Sequence, residues 1–186
     1  SAASDVYKRQ YMNSLPGMWE RTVSCSSLSK TYSITGWRLG YIIAPEEIID
    51  RAKKVHDFLT VGCAAPLQEA VIPGLEFGQD YYDDLLAKYT HKKDLFLKGL
   101  DDLHISHNDP EGAYYVLLDI REYGYESDLQ FCKNLAREVG VGAVPGSSFF
   151  REPVNHLIRF HFAKKDETLL NALNRLESPV SYTHLT

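Results

Sequence analysis

The sequence is poor in cysteine, has two methionines, and contains neither a long apolar run nor a cluster of basic residues. Its three cysteines, Cys25, Cys63 and Cys132, are odd in number and far apart, which argues against a disulfide framework and a CxxC metal site. A reducing cytoplasm fits that usage. No apolar stretch approaches the roughly 20 residues that span a bilayer, so no membrane partner is expected. The N-terminus also lacks the apolar core of a secretory signal. Lys and Arg never occur more than two in succession, the net charge is -5 and the pI is near 5.8, so no nucleic-acid partner is expected.

What remains is ordinary globular composition: 186 residues, 44% hydrophobic and 24% charged. That length can bury a real core as one large domain or two small ones. The ends, "SAASDVYKRQ" and "SPVSYTHLT", show no helical or strand periodicity. Residues 1–10 and 178–186 are therefore expected to be non-native flanks. Between them, "RTVSCSSLS" and "WRLGYIIAP" read as short strands, the second closed by Pro45. "PEEIIDRAKKVHDFLT" reads as a helix, with acids in its first turn and Ile48, Ile49, Ala52, Val55 and Leu59 at helical spacing. "APLQEAVIPGLEFG" is a second helix, kinked or stopped at Pro73–Gly74.

A long amphipathic helix follows from Asp80, with Leu85, Leu86, Tyr89, Leu95, Phe96 and Leu100 on its apolar side. "AYYVLLDI" is a buried strand, and "SDLQFCKNLAREVG" is a helix capped by Ser127 and Gly140. A turn in "VGAVPGSSF", the strand "HLIRFHFA" and the helix "DETLLNALNRLE" complete the order. Strands and helices intermix, so the class is α/β or α+β. The histidines His104, His107, His156 and His161 lack the further ligands a metal site needs, and no metal is expected.

The stretch "SSLSKTYSITGWRLG" sets Lys30 behind four hydroxyls in six residues, Ser24 to Ser29, with Arg38 and two glycines following. One reading is a solvated turn lysine. The other is an anion site: Ser27 offers a hydroxyl, Arg38 offers a planar fork to two phosphate oxygens, and Gly36 and Gly40 let backbone approach closely. A lysine beside such a cradle is suited to a Schiff base with a carbonyl, which pyridoxal phosphate requires. In "HLIRFHFA", Ile158, Phe160 and Phe162 share one face while Leu157, Arg159 and His161 share the other. A half-buried arginine needs a partner, and Glu152 or Asp166 would make a structural salt bridge. Tyr114 and Tyr115 read mostly as core.

"SSLSKTYSITGWRLGYIIAP" resembles the cofactor-lysine signature of the class I/II aminotransferases, the fold-type I pyridoxal-phosphate enzymes. Ser27, Lys30 and Arg38 stand at that pattern's spacings. The resemblance implies that Lys30 is the Schiff-base lysine that later moves the Cα proton, and that Ser27 and Arg38 hold the phosphate. "HLIRFHFA" is similar to the family's C-terminal strand, whose arginine takes the substrate α-carboxylate, and Arg159 is the matching residue. "EGAYYVLLDI" and "VPGSSFF" resemble landmarks of the small domain. Implied with these are pyridoxal 5'-phosphate as cofactor, amino-acid and 2-oxo-acid substrates, and a homodimer when full length.

The likeness covers about residues 14–177 and divides them. Residues 11–79 match the C-terminal part of the cofactor-binding large α/β domain, and residues 80–177 match a connecting helix and an α+β small domain. Family members place an aspartate against the pyridine nitrogen, three residues before a tyrosine and more than thirty residues upstream of the lysine. Asp5 and Tyr7 have the wrong spacing for it. The chain is therefore expected to be the C-terminal portion of such an enzyme and inactive alone. A fold-type I lyase or decarboxylase, or a non-catalytic fragment, are the alternatives. No arginine follows Phe58–Val61, so a dicarboxylate preference does not carry over.

Overall fold

The computed structural model describes residues 11–183, with side chains to residue 177. Residues 1–10, including Asp5 and Tyr7, and residues 184–186 lie outside the described residues. The chain divides after Gly78 into two compact units.

In the first unit, β1 (Ser24–Ser27) and β2 (Gly40–Ile43) pair antiparallel, with Ser24 opposite Ile43 and Ser27 opposite Gly40. A Cβ on Gly40 would lie 2.6 Å from the Ser26 carbonyl oxygen, so the strand partner itself uses the space a side chain would take. Two helices follow, α1 (Glu46–Thr60) and α2 (Ala65–Leu75). Glu46 and Glu47 complement the dipole in the first turn of α1, and Pro45 precedes it where no intrahelical N–H bond is needed. α2 passes through Pro73 and ends at Leu75. The core of this unit is small: Leu28, Leu39 and Val71 are buried, with Tyr32, Ile34, Trp37 and Leu67 packed around them.

The second unit is built on a three-stranded antiparallel sheet. β3 (Tyr115–Asp119), β4 (Val144–Pro145) and β5 (Leu157–His161) stand in the order β3-β5-β4, so β5 is central. Three helices accompany it: α3 (Gln79–Asp102), α4 (Asp128–Asn134) and α5 (Asp166–Thr183). α5 runs on to Thr183, beyond Glu177, where a patternless flank was expected. Strand alternation places Val116, Leu118, Ile158 and Phe160 in the core, where they meet Phe96 and Leu100 of α3 and Leu169, Leu173 and Leu176 of α5. Leu86, expected on the apolar side of α3, is 68% exposed, while Leu97 packs against the core instead.

α4 begins as expected: the Ser127 hydroxyl accepts a hydrogen bond from the Gln130 N–H at 3.4 Å. The helix widens into a π turn at Leu135–Val139, and Gly140 closes it at φ 72°. Its first residue, Asp128, is buried and fully engaged. The carboxylate accepts from the Leu129 N–H at 2.8 Å, the Ser147 N–H at 2.7 Å and the Ser147 hydroxyl at 3.1 Å. These bonds tie α4 to the 3-10 turn Gly146–Phe149 that follows β4. Where that turn starts, a Cβ on Gly146 would lie 2.5 Å from the Leu157 carbonyl oxygen, so glycine permits β4 to meet β5.

Candidate functional site

The residues of the lysine stretch sit at the closed end of the β1–β2 hairpin, in and beside the segment that connects the two strands. Ser27 is the last residue of β1, and the Leu28 N–H extends the ladder by donating to the Leu39 carbonyl at 3.1 Å. Lys30 and Arg38 therefore belong to one connection whose two ends are held together. Thr35 links them: Lys30 Nζ donates to Thr35 Oγ1 at 3.5 Å, and Arg38 donates to the Thr35 carbonyl at 2.9 Å. The Thr35 hydroxyl in turn donates to the carbonyl of buried Ser29 at 3.2 Å, and the Ser29 N–H donates to Ser27 Oγ at 3.2 Å. A network of short polar links thus runs through Ser27, Ser29, Thr35, Lys30 and Arg38. Thr35 was not singled out in the sequence, although its hydroxyl lies within the quoted stretch.

Arg38 adopts the left-handed conformation, φ 57° and ψ 41°, which costs a non-glycine residue on the order of 1 kcal/mol. Lys30 and Arg38 are both exposed, and neither has a carboxylate partner among the described residues. Two cations and several hydroxyls without a compensating acid form a donor set that suits a phosphate-bearing group. Gly36 has no crowded approach, unlike Gly40.

Arg159 lies in the second unit, on the central strand and on the face away from Ile158 and Phe160. The salt bridge to Glu152 or Asp166 is not formed. Asp166 is taken by His91 at 2.8 Å and Lys92 at 3.3 Å, which hold its carboxyl below the usual carboxylate range. The partners of Arg159 are aromatic: its guanidinium carbon lies 4.2 Å from the Tyr115 ring centroid and 4.0 Å from that of Phe149. Two residues along the strand, burial and then the cations Lys164 and Arg159 push the His161 imidazole below its ordinary pKa. A cavity of about 460 Å³ beside β4 and α5 is lined by Arg159, His161, Lys164 and Arg175 with no carboxylate; neither Tyr115 nor Phe149 lines it. Among the described residues no group of three His, Cys, Asp or Glu side chains is arranged to hold a metal, and His107 is engaged with Asp101 at 3.1 Å. No helix among them is long and apolar enough to cross a membrane.

The sequence model of the family described as aminotransferase class I and II matches residues 3–176. The chain belongs to that family. Among aminotransferase relatives, the methionine aminotransferase of Escherichia coli is 39% identical over 162 residues, covering 87% of this chain and 42% of its own. The kynurenine–oxoglutarate transaminase of Dictyostelium discoideum is 32% identical and is covered to the same 42%. The solved N-succinyldiaminopimelate aminotransferase of Mycobacterium tuberculosis superposes with a TM-score of 0.83 at 34% identity, over 90% of this chain and 44% of that one. The chain thus spans less than half the length of these aminotransferases. Its fold is that of the fold-type I transferases, whose family members use pyridoxal phosphate.

Proposed function

We propose that this chain carries the cofactor lysine and the substrate arginine of an aminotransferase that moves an amino group between an L-amino acid and a 2-oxo acid. The observation that carries the reading is the pair of cations, Lys30 and Arg38, joined through Thr35 at one hairpin end with no acid among the described residues to neutralise them. Pyridoxal 5'-phosphate supplies, when bound, a carbonyl for the amino group and a ring that delocalises charge. With it bound, Lys30 Nζ would be the amine that holds the cofactor at that carbonyl carbon, the oxygen leaving as water, and would afterwards move the proton at the substrate Cα. The Ser27 hydroxyl and the Arg38 fork bind the phosphate, and Arg159 pairs with the substrate carboxylate. Residues 11–79 are read as part of the cofactor-binding domain, and residues 80–177 as a connecting helix and small domain. A homodimer in a reducing compartment completes the reading, supported there by free thiols at Cys25, Cys63 and Cys132.

The test is borohydride reduction of the full-length protein loaded with pyridoxal phosphate, followed by peptide mapping. Label is expected on Lys30 and is lost in Lys30→Ala. Label on Lys53 or Lys54 instead overturns the assignment. Arg159→Ala is expected to weaken amino-acid binding by roughly ten- to a hundredfold, the worth of a charge-assisted bidentate pair, and to spare the cofactor. Arg38→Ala is expected to do the opposite. Equal cofactor loss in both variants, with unchanged substrate constants, defeats this division of roles.

A further inference from the structure

An arginine on the central strand of a sheet would ordinarily meet a carboxylate, yet Arg159 has none among the described residues. Two rings lie against it from different elements. Leu117 of β3 is the direct partner of Arg159, so Tyr115, two residues away, is its diagonal neighbour on the same face. Phe149 ends the turn after β4, the strand on the other side of β5.

The geometry matters because a guanidinium has two kinds of surface. Its N–H donors lie in its plane, whereas an aromatic face attracts the cation through the flat side. Contact with rings therefore restrains the plane while leaving the in-plane donors for the two oxygens of a carboxylate. A salt bridge to a protein acid would consume those donors.

The Tyr115 ring is braced by its neighbours, and Phe149 is carried on an anchored turn. Tyr115 packs on Tyr114 at 4.6 Å between centroids, and Tyr114 stacks on Tyr89 of α3 at 5.9 Å. The Phe149 turn is anchored through Ser147 to the buried carboxylate of Asp128. An exposed phenylalanine, 49% accessible, is thus carried on a fixed backbone.

We infer that Tyr115 and Phe149 are positioning residues that hold the Arg159 guanidinium plane for two-point pairing with a substrate carboxylate. The inference rests on the reading of Arg159 as the carboxylate-binding residue. It goes beyond it by assigning affinity to two residues that touch no substrate. The interaction is indifferent to the substrate side chain, so it acts on every amino acid alike and is lost for ligands without a carboxylate.

The test uses the full-length, cofactor-loaded protein. Binding of L-methionine, L-phenylalanine and L-glutamate is measured by calorimetry, and the tightest is compared with its α-amide. Tyr115→Leu and Phe149→Leu are each expected to weaken the acid about three- to thirtyfold, the range between an exposed and a desolvated cation–π contact. The amide is expected to be unaffected, and Tyr115→Phe and Phe149→Tyr, which keep the aromatic face, restore wild-type binding. In turnover the leucine variants raise KM for the acid with kcat retained. If the leucine variants bind the acid as wild type does while Arg159→Ala loses it, the inference is overturned and the role of Arg159 stands. If Arg159→Ala also binds as wild type, or none of the three acids binds the unaltered protein, both fall. Equal loss of acid and amide marks a general structural defect and overturns the inference.

Discussion

Both units of the chain are built from helices and antiparallel strands, but they bury very different amounts of them. Beyond Gln79, sheet and helices close a core: the sheet residues Val116, Leu118, Ile158 and Phe160 meet helix residues from α3 and α5, and Leu100 is 0% exposed. Before Gly78 the same periodicities are present without the cover. Tyr41, Ile42 and Ile43 of β2 are 45%, 47% and 44% exposed, and Phe58 and Leu59 of α1 are 93% and 75% exposed. A helix with no buried residue draws little stability from packing, which supplies most of a helix's stability in proteins. The comparison teaches that the first unit's sequence is patterned for layers that the described residues do not supply.

The sharpest way to break that comparison is to truncate one apolar side chain in each unit. Leu100→Ala is expected to destabilise the second unit by about 2–5 kcal/mol, because the cavity left in a closed core relaxes only in part. Phe58→Ser should change stability by no more than about 0.5 kcal/mol. Hydrogen exchange at the β3 and β5 amides for the first variant, and at the α1 amides for the second, reads both. Comparable losses in the two variants would mean that α1 is covered after all.

Thiol chemistry gives the next contrast. Cys25 and Cys63 of the first unit are exposed, whereas Cys132 of α4 is buried and its thiol is pushed up to about 11, chiefly by burial and then by Asp128. At pH 8 that shift alone cuts the thiolate to about 0.1%. Two thiols should react quickly with an aromatic disulfide reagent, and the third on the order of a hundredfold more slowly until the chain unfolds. Three equal rates would show that α4 opens readily.

The smallest effect concerns pH. Burial, followed by the cations Lys164 and Arg159, lowers the His161 pKa in the folded state below the unfolded value of about 6.5. Between those two values the unfolded chain binds more protons, so stability rises with pH there and falls as pH drops below about 6.5. A urea midpoint that decreases between pH 7.5 and pH 5.5, and decreases less in His161→Gln, is the expected result. An imidazole titrating above 6.5 by NMR would contradict it.

Local signals in the sequence were sufficient to place α1 to α5 and the strands β1, β2, β3 and β5, but not β4, whose two residues Val144 and Pro145 lie in a segment read as a turn. The 3.6-residue pattern marked α1 and α3, alternation marked β5, and Ser127 and Gly140 marked the ends of the α4 region, since caps and periodicity depend on neighbours a few residues away. Ser27, Lys30 and Arg38 could be singled out for the same reason: all three lie in one short stretch of sequence. The companions of Arg159 were not. Tyr115 lies 44 positions upstream in the chain and meets Arg159 only because β3 pairs with β5 in one register. Phe149 arrives because Asp128 fixes the turn that carries it. Local patterning therefore determined most of the elements and singled out the lysine motif. Tertiary structure alone decided that Leu86 faces out, that Asp128 is buried against Ser147, and that aromatic rings rather than acids stand beside the arginine, because each depends on strand register and helix packing between distant segments.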